Sequence, residues 1–295
     1  MVKRKFRIII LIAFGTFFIA MAVWGVYLLI PRSSQFDGQR AYRDVVAQVA
    51  FGPRVPDSQA HAGTIAYIQN QLHEAGWQAQ IQNATWQGFA IQNIIASRTN
   101  QAPQIILGAH YDSRMLADQD PGPGRTKPVP GANDGASGVA VLLELARTLP
   151  NNSLPTWLVF FDAEDDGGIA GRQWIMGSQA FVAALTYRPR AAIILDMIGD
   201  ANLNIYIEQN SNTSLVSEIW GQAARLGFEQ QFIPTIKYSM EDDHTPFLKA
   251  GIPAVDIIDF DYPYWHTAAD TPDKVSPKSL EIVGETLRTW LMSQK

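Results

Sequence analysis

Four short apolar runs, at 104–109, 156–161, 191–195 and 253–258, alternate along this chain with segments of helical period. Each run is bounded and too short for a helix, as strands buried on both faces are. Helical patterns follow at 136–149, 173–185, 214–226 and 276–293. This alternation predicts an α/β fold, a three-layer sandwich in which helices flank a central, mostly parallel mixed sheet. Upstream, residues 41–50 and 57–75 read as amphipathic helices. In the second, Ile65, Ile68, Leu72 and Ala75 recur at helical spacing and Gly76 is the stop. Residues 78–83 and 88–97 read as strands. The proline- and glycine-rich stretch Asp118–Gly131 is a loop within one domain, and no internal repeat is present.

The N-terminal segment is of another kind. Ile8 to Ile30 include no charged side chain, and Pro31 ends the run. As a helix it would span roughly 34 Å, enough for a hydrocarbon core of about 30 Å. Lys3, Arg4, Lys5 and Arg7 precede it, which sets the N-terminus on the cytoplasmic side. A cleaved signal peptide is the competing reading. The run exceeds the usual signal core of ~7–15 residues, however, and AVWGVYLLIPRSS offers no good small-residue cleavage site. The expectation is a basic tip and transmembrane helix over 1–30, a tether over 31–40 and one domain over 41–295. That domain would lie on the extracytoplasmic side of a single-pass membrane protein.

Charge and composition remove several function classes. The net charge is −5, and the basic tip contributes +4, so the remainder carries −9 (−5 minus 4). An acidic body argues against a nucleic-acid partner. No GxxxxGK[ST] or strand-linked GxGxxG loop points to a nucleotide. Cysteine is absent, so there are no disulfides and any metal site must use His, Asp and Glu. With 47% hydrophobic residues, 295 positions suffice for one sizeable core without such staples.

Several acids and histidines sit where an α/β fold places its ligands, beyond the carboxyl ends of the strands. His110, Asp162 to Asp165 and Asp196 follow apolar runs directly; Asp134 precedes a helix and His266 follows a strand. Singly, most have ordinary readings. Asp134 reads as a helix N-cap and His110 as a packed core histidine, with Asp112 placed to orient its ring. Asp242–Asp243–His244 reads as capping of a short helix stopped by Gly251. Trp265 is core, or a pocket wall beside His266. The pair Glu164–Asp165 resists such treatment. Adjacent carboxylates repel unless a cation or a proton separates their roles. Consecutive residues at a strand end also face opposite ways, so one can bind metal while the other faces substrate. Together the set offers zinc ligands and a spare carboxylate for proton transfer, which points to an enzyme.

The strings GAHYDS, GANDGASGVAVLLELAR, FFDAEDDG, LDMIG and YWHTAADT, in that order, resemble the zinc aminopeptidases of the M28 type. The likeness runs from about residue 45 to the C-terminus. Arg114 after HYDS, the string DDHTPFLKAGIPA and the tryptophan of WHT resemble the glutaminyl-peptide cyclotransferase branch, the glutaminyl cyclases. That resemblance implies zinc held by Asp134, Asp165 and His266, with Glu164 as general acid/base. Asp196 and Asp242 would form the acid network around Glu164, and Trp265 with Tyr262 would line the glutamine pocket. The implied substrates are peptide or protein N-termini, and the implied reaction is cyclisation of glutamine to pyroglutamate with release of ammonia. Three departures stand out. Asp165 replaces the glutamate common at its position. A second pocket tryptophan has no counterpart unless Trp174 serves. His110 and Asp196 complete the five-ligand set of two-zinc aminopeptidases. An exported metalloaminopeptidase with a second ion on His110 is therefore the rival enzyme, and a catalytically dead binding domain a third reading.

Overall fold

The computed structural model describes residues 36–294. The four apolar runs become β3 (Ile105–His110), β4 (Thr156–Phe161), β5 (Ala191–Asp196) and β8 (Ala254–Ile258), parallel neighbours in the order β4-β3-β5-β8. Their mostly apolar composition, interrupted in β8 by Asp256, follows from burial on both faces. The period of two sends Leu107, Leu158, Ile193 and Val255 into one core and Ile106, Val159, Ile194 and Ala254 into another. Strands β1 (Gln78–Trp86) and β2 (Phe89–Ser97) form an antiparallel hairpin, and β2 adds antiparallel to β4. The six-stranded sheet is therefore mixed.

Helices cover both faces. The larger core takes residues of α1 (Gly38–Ala50), α2 (Gln59–Glu74), α3 (Ala136–Thr148), α5 (Thr213–Leu226) and α7 (Pro277–Ser293). The smaller core receives Phe181 of α4 (Met176–Ala183) and Phe247 of α6 (Thr245–Lys249). Helix α3 is buried over Ala136 to Ala146, and even Glu144 is fully enclosed. That burial is tolerable because Arg40 makes two hydrogen bonds to Glu144, at 2.6 and 2.7 Å, and the Asp37 amide adds a third at 3.1 Å.

Two boundaries differ from expectation for local reasons. Helix α1 begins at Gly38 rather than 41, because Asp37 caps it by accepting from the Arg40 amide at 2.9 Å. Phe36 is already core, packed where a side chain at Gly284 would stand. Helix α4 begins at Met176 rather than 173. The preceding residues instead fold back on the end of β4, the amides of Ile175 and Met176 donating to the carbonyls of Glu164 and Ala163. A parallel pair, β6 (Ile205–Glu208) and β7 (Phe232–Tyr238), was not expected. Strand β6 is short and β7 is largely exposed with an internal proline, so neither carries a strand signature.

The membrane location is corrected. No helix among the described residues is long and apolar enough to cross a membrane, so no transmembrane helix is supported. The run Ile8 to Ile30, on which that expectation rested, lies outside the described residues.

Candidate active site

Parallel pairing of β3 with β4 and β5 brings three strand ends to one sheet edge. His110 closes β3, Asp196 closes β5, and Glu164 and Asp165 follow β4. The turn after β4 passes through Ala163 at φ +53°, and both following amides donate to Asp112, Glu164 at 3.2 Å and Asp165 at 3.1 Å. Asp112 also lies 3.4 Å from His110 Nδ1, so one buried carboxylate orients the histidine and the acid pair together. Asp134 does not act as the cap of α3; that position belongs to Gly135, without a side-chain bond. Its carboxylate turns instead toward His110 and His266.

Asp134, Asp165 and His266 come together, one ligand atom from each lying within 4.8 Å of the others. His266 Nε2 is 2.8 Å from Asp165 Oδ1 and 3.7 Å from Asp134 Oδ2. The Oδ2 atoms of Asp134 and Asp165 are both buried without a hydrogen-bond partner. Two orphaned carboxylate oxygens beside an imidazole are what a borderline divalent cation satisfies, so the donors fit zinc. Burial and neighbouring acids push Asp165 up to about 6 and Asp196 up to about 7, a crowding of negative charge that a cation relieves. A second triad, His110, Asp134 and Asp196, meets the same distance limit. There His110 Nε2 lies 3.1 Å from Asp196 Oδ1 and 3.2 Å from Asp134 Oδ1, and Asp196 has no buried oxygen without a partner.

A cavity of about 300 Å³ opens over these groups, lined by Glu164, Asp196 and Asp242 with Trp174, Trp265 and Phe260 among its walls. Burial, then the nearby Asp165 and Asp242, holds the Glu164 carboxyl well above its ordinary range despite the opposing charge of His110. The Trp265 ring stacks on His266 at 3.8 Å between centroids, and Trp174 lies nearly parallel to the same imidazole at 5.9 Å. Trp174 thus lines the cavity together with Trp265. Tyr262 does not line the cavity. It is 3% exposed and its hydroxyl donates to Asp270 Oδ1 at 2.6 Å, so it supports the site from behind.

Sequence reasoning passed over two buried residues that hold the loops in place. Asp270 accepts from the amides of Asn133 at 2.8 Å and Asp134 at 3.2 Å, fixing the backbone of a site aspartate. Arg54 is fully buried and donates to the carbonyls of Tyr111, Pro130 and Gly131 at 2.8, 2.8 and 2.6 Å. At Gly131, with φ +70°, a Cβ would stand 2.6 Å from the Arg54 guanidinium, so that close approach requires glycine. No periodicity marks either residue. Asp270 could have been noticed only as the acid ending HTAAD.

Comparison with known proteins agrees with this geometry. The model of peptidase family M28 matches residues 93–291. A glutaminyl cyclase from Porphyromonas gingivalis has a similar structure, with a TM-score of 0.84 and 34% identity over 89% of this chain and 100% of that one. So does a Zn-dependent exopeptidase from Parabacteroides distasonis, with a TM-score of 0.83 and 32% identity over 88% of this chain and 99% of that one. The glutaminyl-peptide cyclotransferase of Boiga irregularis is 26% identical over 290 residues, covering 81% of this chain and 77% of its own. By fold, by motif order and by the placement of its acids and histidines, the chain belongs to peptidase family M28, on the side where glutaminyl cyclases lie.

Proposed function

We propose that this protein cyclises the N-terminal glutamine of peptides to pyroglutamate and releases ammonia, using one zinc ion. The observation that carries the single-ion reading is where the orphaned atoms gather. Asp134 and Asp165 each keep a buried, unbonded oxygen at the His266 triad, whereas Asp196, the acid particular to the His110 triad, keeps none. Asp134, Asp165 and His266 would hold the zinc, which supplies Lewis-acid polarisation of the substrate γ-carbonyl. The glutaminyl cyclases among the solved relatives support the reaction class.

The remaining chemistry belongs to the chain. The nucleophile, the α-amine, is already part of the substrate, so the pocket chiefly holds a near-attack geometry. Trp265 and Trp174 wall the cavity that receives the glutamine side chain. Glu164 takes a proton from the amine as its nitrogen bonds to the side-chain carboxamide carbon, Cδ, then returns it to the amide nitrogen as the Cδ–N bond to that nitrogen breaks and ammonia leaves. Asp196 and Asp242, lining the same cavity, add negative charge that favours a protonatable Glu164.

A second reading has its own support. The triad of His110, Asp134 and Asp196 is ion-sized, and a second ion there would suit an aminopeptidase in which Glu164 activates water. Incubation of the purified protein with a glutamine-headed peptide separates the two. Cyclisation gives ammonia and a peptide that keeps its first residue; hydrolysis gives free glutamine and a shortened peptide.

A further inference from the structure

Arg114 is only 4% exposed, yet the mechanism above gives it no role. Its guanidinium makes three kinds of contact at once. Nε and Nη2 donate to the two carboxylate oxygens of Asp118 at 2.9 and 2.5 Å. Nη1 donates to the carbonyl of Asp165 at 2.7 Å. Its plane lies over Trp174, 4.7 Å from the ring centroid. Each partner leads to the metal-ligand set. Asp118 Oδ1 stands 3.5 Å from His266 Nδ1, the nitrogen on the far side of the ring from the triad. The neighbouring Gln119 amide donates to the His266 carbonyl at 3.2 Å. Trp174 lies parallel to the His266 ring.

We propose that Arg114 is a positioning residue that fixes the Asp165 loop, the His266 ring through Asp118, and the Trp174 wall as one unit. This rests on reading Asp134, Asp165 and His266 as the zinc site. A carboxylate behind a ligating imidazole sets the ring's orientation and basicity, and its loss commonly weakens metal binding by about 10–100-fold. The planar fork matters because a lysine ammonium cannot bond two carboxylate oxygens and a carbonyl while stacking on an indole.

The test reads zinc retention without substrate, by competition with a chelator, alongside KM and kcat for a glutamine-headed peptide at saturating zinc. Arg114→Lys is expected to lose zinc to chelator about tenfold or more readily and to raise KM, since both the ligand shell and the Trp174 wall loosen. Asp118→Asn should weaken zinc retention while moving KM little, and Trp174→Phe should do the reverse. The double variant Arg114→Lys/Asp118→Asn should hold zinc no worse than Arg114→Lys alone, as members of one unit do. Native zinc retention and native KM in Arg114→Lys would overturn the proposal, as would full additivity in the double variant. If Arg114→Lys does not fold, the opposite behaviour of Asp118→Asn and Trp174→Phe supports the unit, and indifference of zinc retention to Asp118→Asn refutes it. A wild-type protein that holds zinc but does not cyclise would refute the reaction assigned above and leave these retention results standing.

Discussion

Among the described residues, two of the buried histidine–carboxylate clusters make a contrast, for His266 lines the cavity and His244 does not. Around His266, Asp134 and Asp165 border the 300 Å³ cavity, with oxygens left for a cation. Around His244, Glu208 lies 3.2 Å from Nε2 and Asp256 lies 3.8 Å from Nδ1, all three essentially unexposed. Asp242 joins that cluster from the cavity wall. Glu208 is also fastened by the amides of Asn210, Ser211 and Met240 at 2.9, 2.8 and 3.2 Å. The same residue types therefore serve two ends. Asp242 and Asp256 keep buried oxygens without a partner just as Asp134 and Asp165 do, but the His266 triad lines the cavity while His244 and Asp256 stand away from it, and Glu208, taken up by backbone amides, holds the loop that presents Asp242.

The contrast is sharpest in paired histidine variants. His266→Ala should lose its zinc and at least about a thousandfold in turnover, because a ligand and the polarising ion go together. His244→Asn should keep its zinc and instead lose about 2–3 kcal/mol of stability, since Glu208 is left buried beside a weaker partner. Zinc content by elemental analysis and a urea midpoint separate the two. Loss of zinc in both would mean that the clusters are one site.

The acid limb of the stability curve probes the second cluster further. Burial works against the charged form of Glu208, but His244 and the backbone amides outweigh it and hold the carboxyl at about 2 against an ordinary 4.5. A depressed carboxylate contributes stability above its unfolded value, lost as pH falls from about 4.5 through about 2. Glu208→Gln should accordingly cost about 2 kcal/mol at pH 7, with the gap to wild type narrowing as pH drops below about 4.5. A gap that stays constant down to pH 3 would mean that the Glu208 charge contributes nothing. The smallest effect is expected at Tyr262. Removing its hydroxyl with Tyr262→Phe should cost about 1 kcal/mol through Asp270 and leave KM unchanged, as the ring stands outside the cavity. A large rise in KM would return Tyr262 to the pocket wall.

Much of this was legible in the chain because strand ends are legible. His110, Glu164, Asp165 and Asp196 each follow an apolar run, so their convergence needed only the parallel order of β3, β4 and β5. Asp134 and His266 sit in loops, and the ordinary reading of Asp134 as a cap yielded only to the resemblance and then to the geometry. Arg54 and Asp270 work by bonding backbone carbonyls and amides, which leaves no periodic trace. Tyr262, which only the resemblance placed in the pocket, turns its hydroxyl to Asp270 instead. Strands β6 and β7 were invisible for want of burial along β7.

In the proposed mechanism zinc binding and proton transfer are divided between adjacent residues, Asp165 holding the ion and Glu164 moving the proton. Glu164→Gln separates them, examined by native mass spectrometry with turnover of a glutamine-headed peptide measured on the same sample. The expected result is one zinc per chain, as in the wild type, with turnover reduced by about a hundredfold or more. Turnover within tenfold of wild type with zinc in place would contradict it.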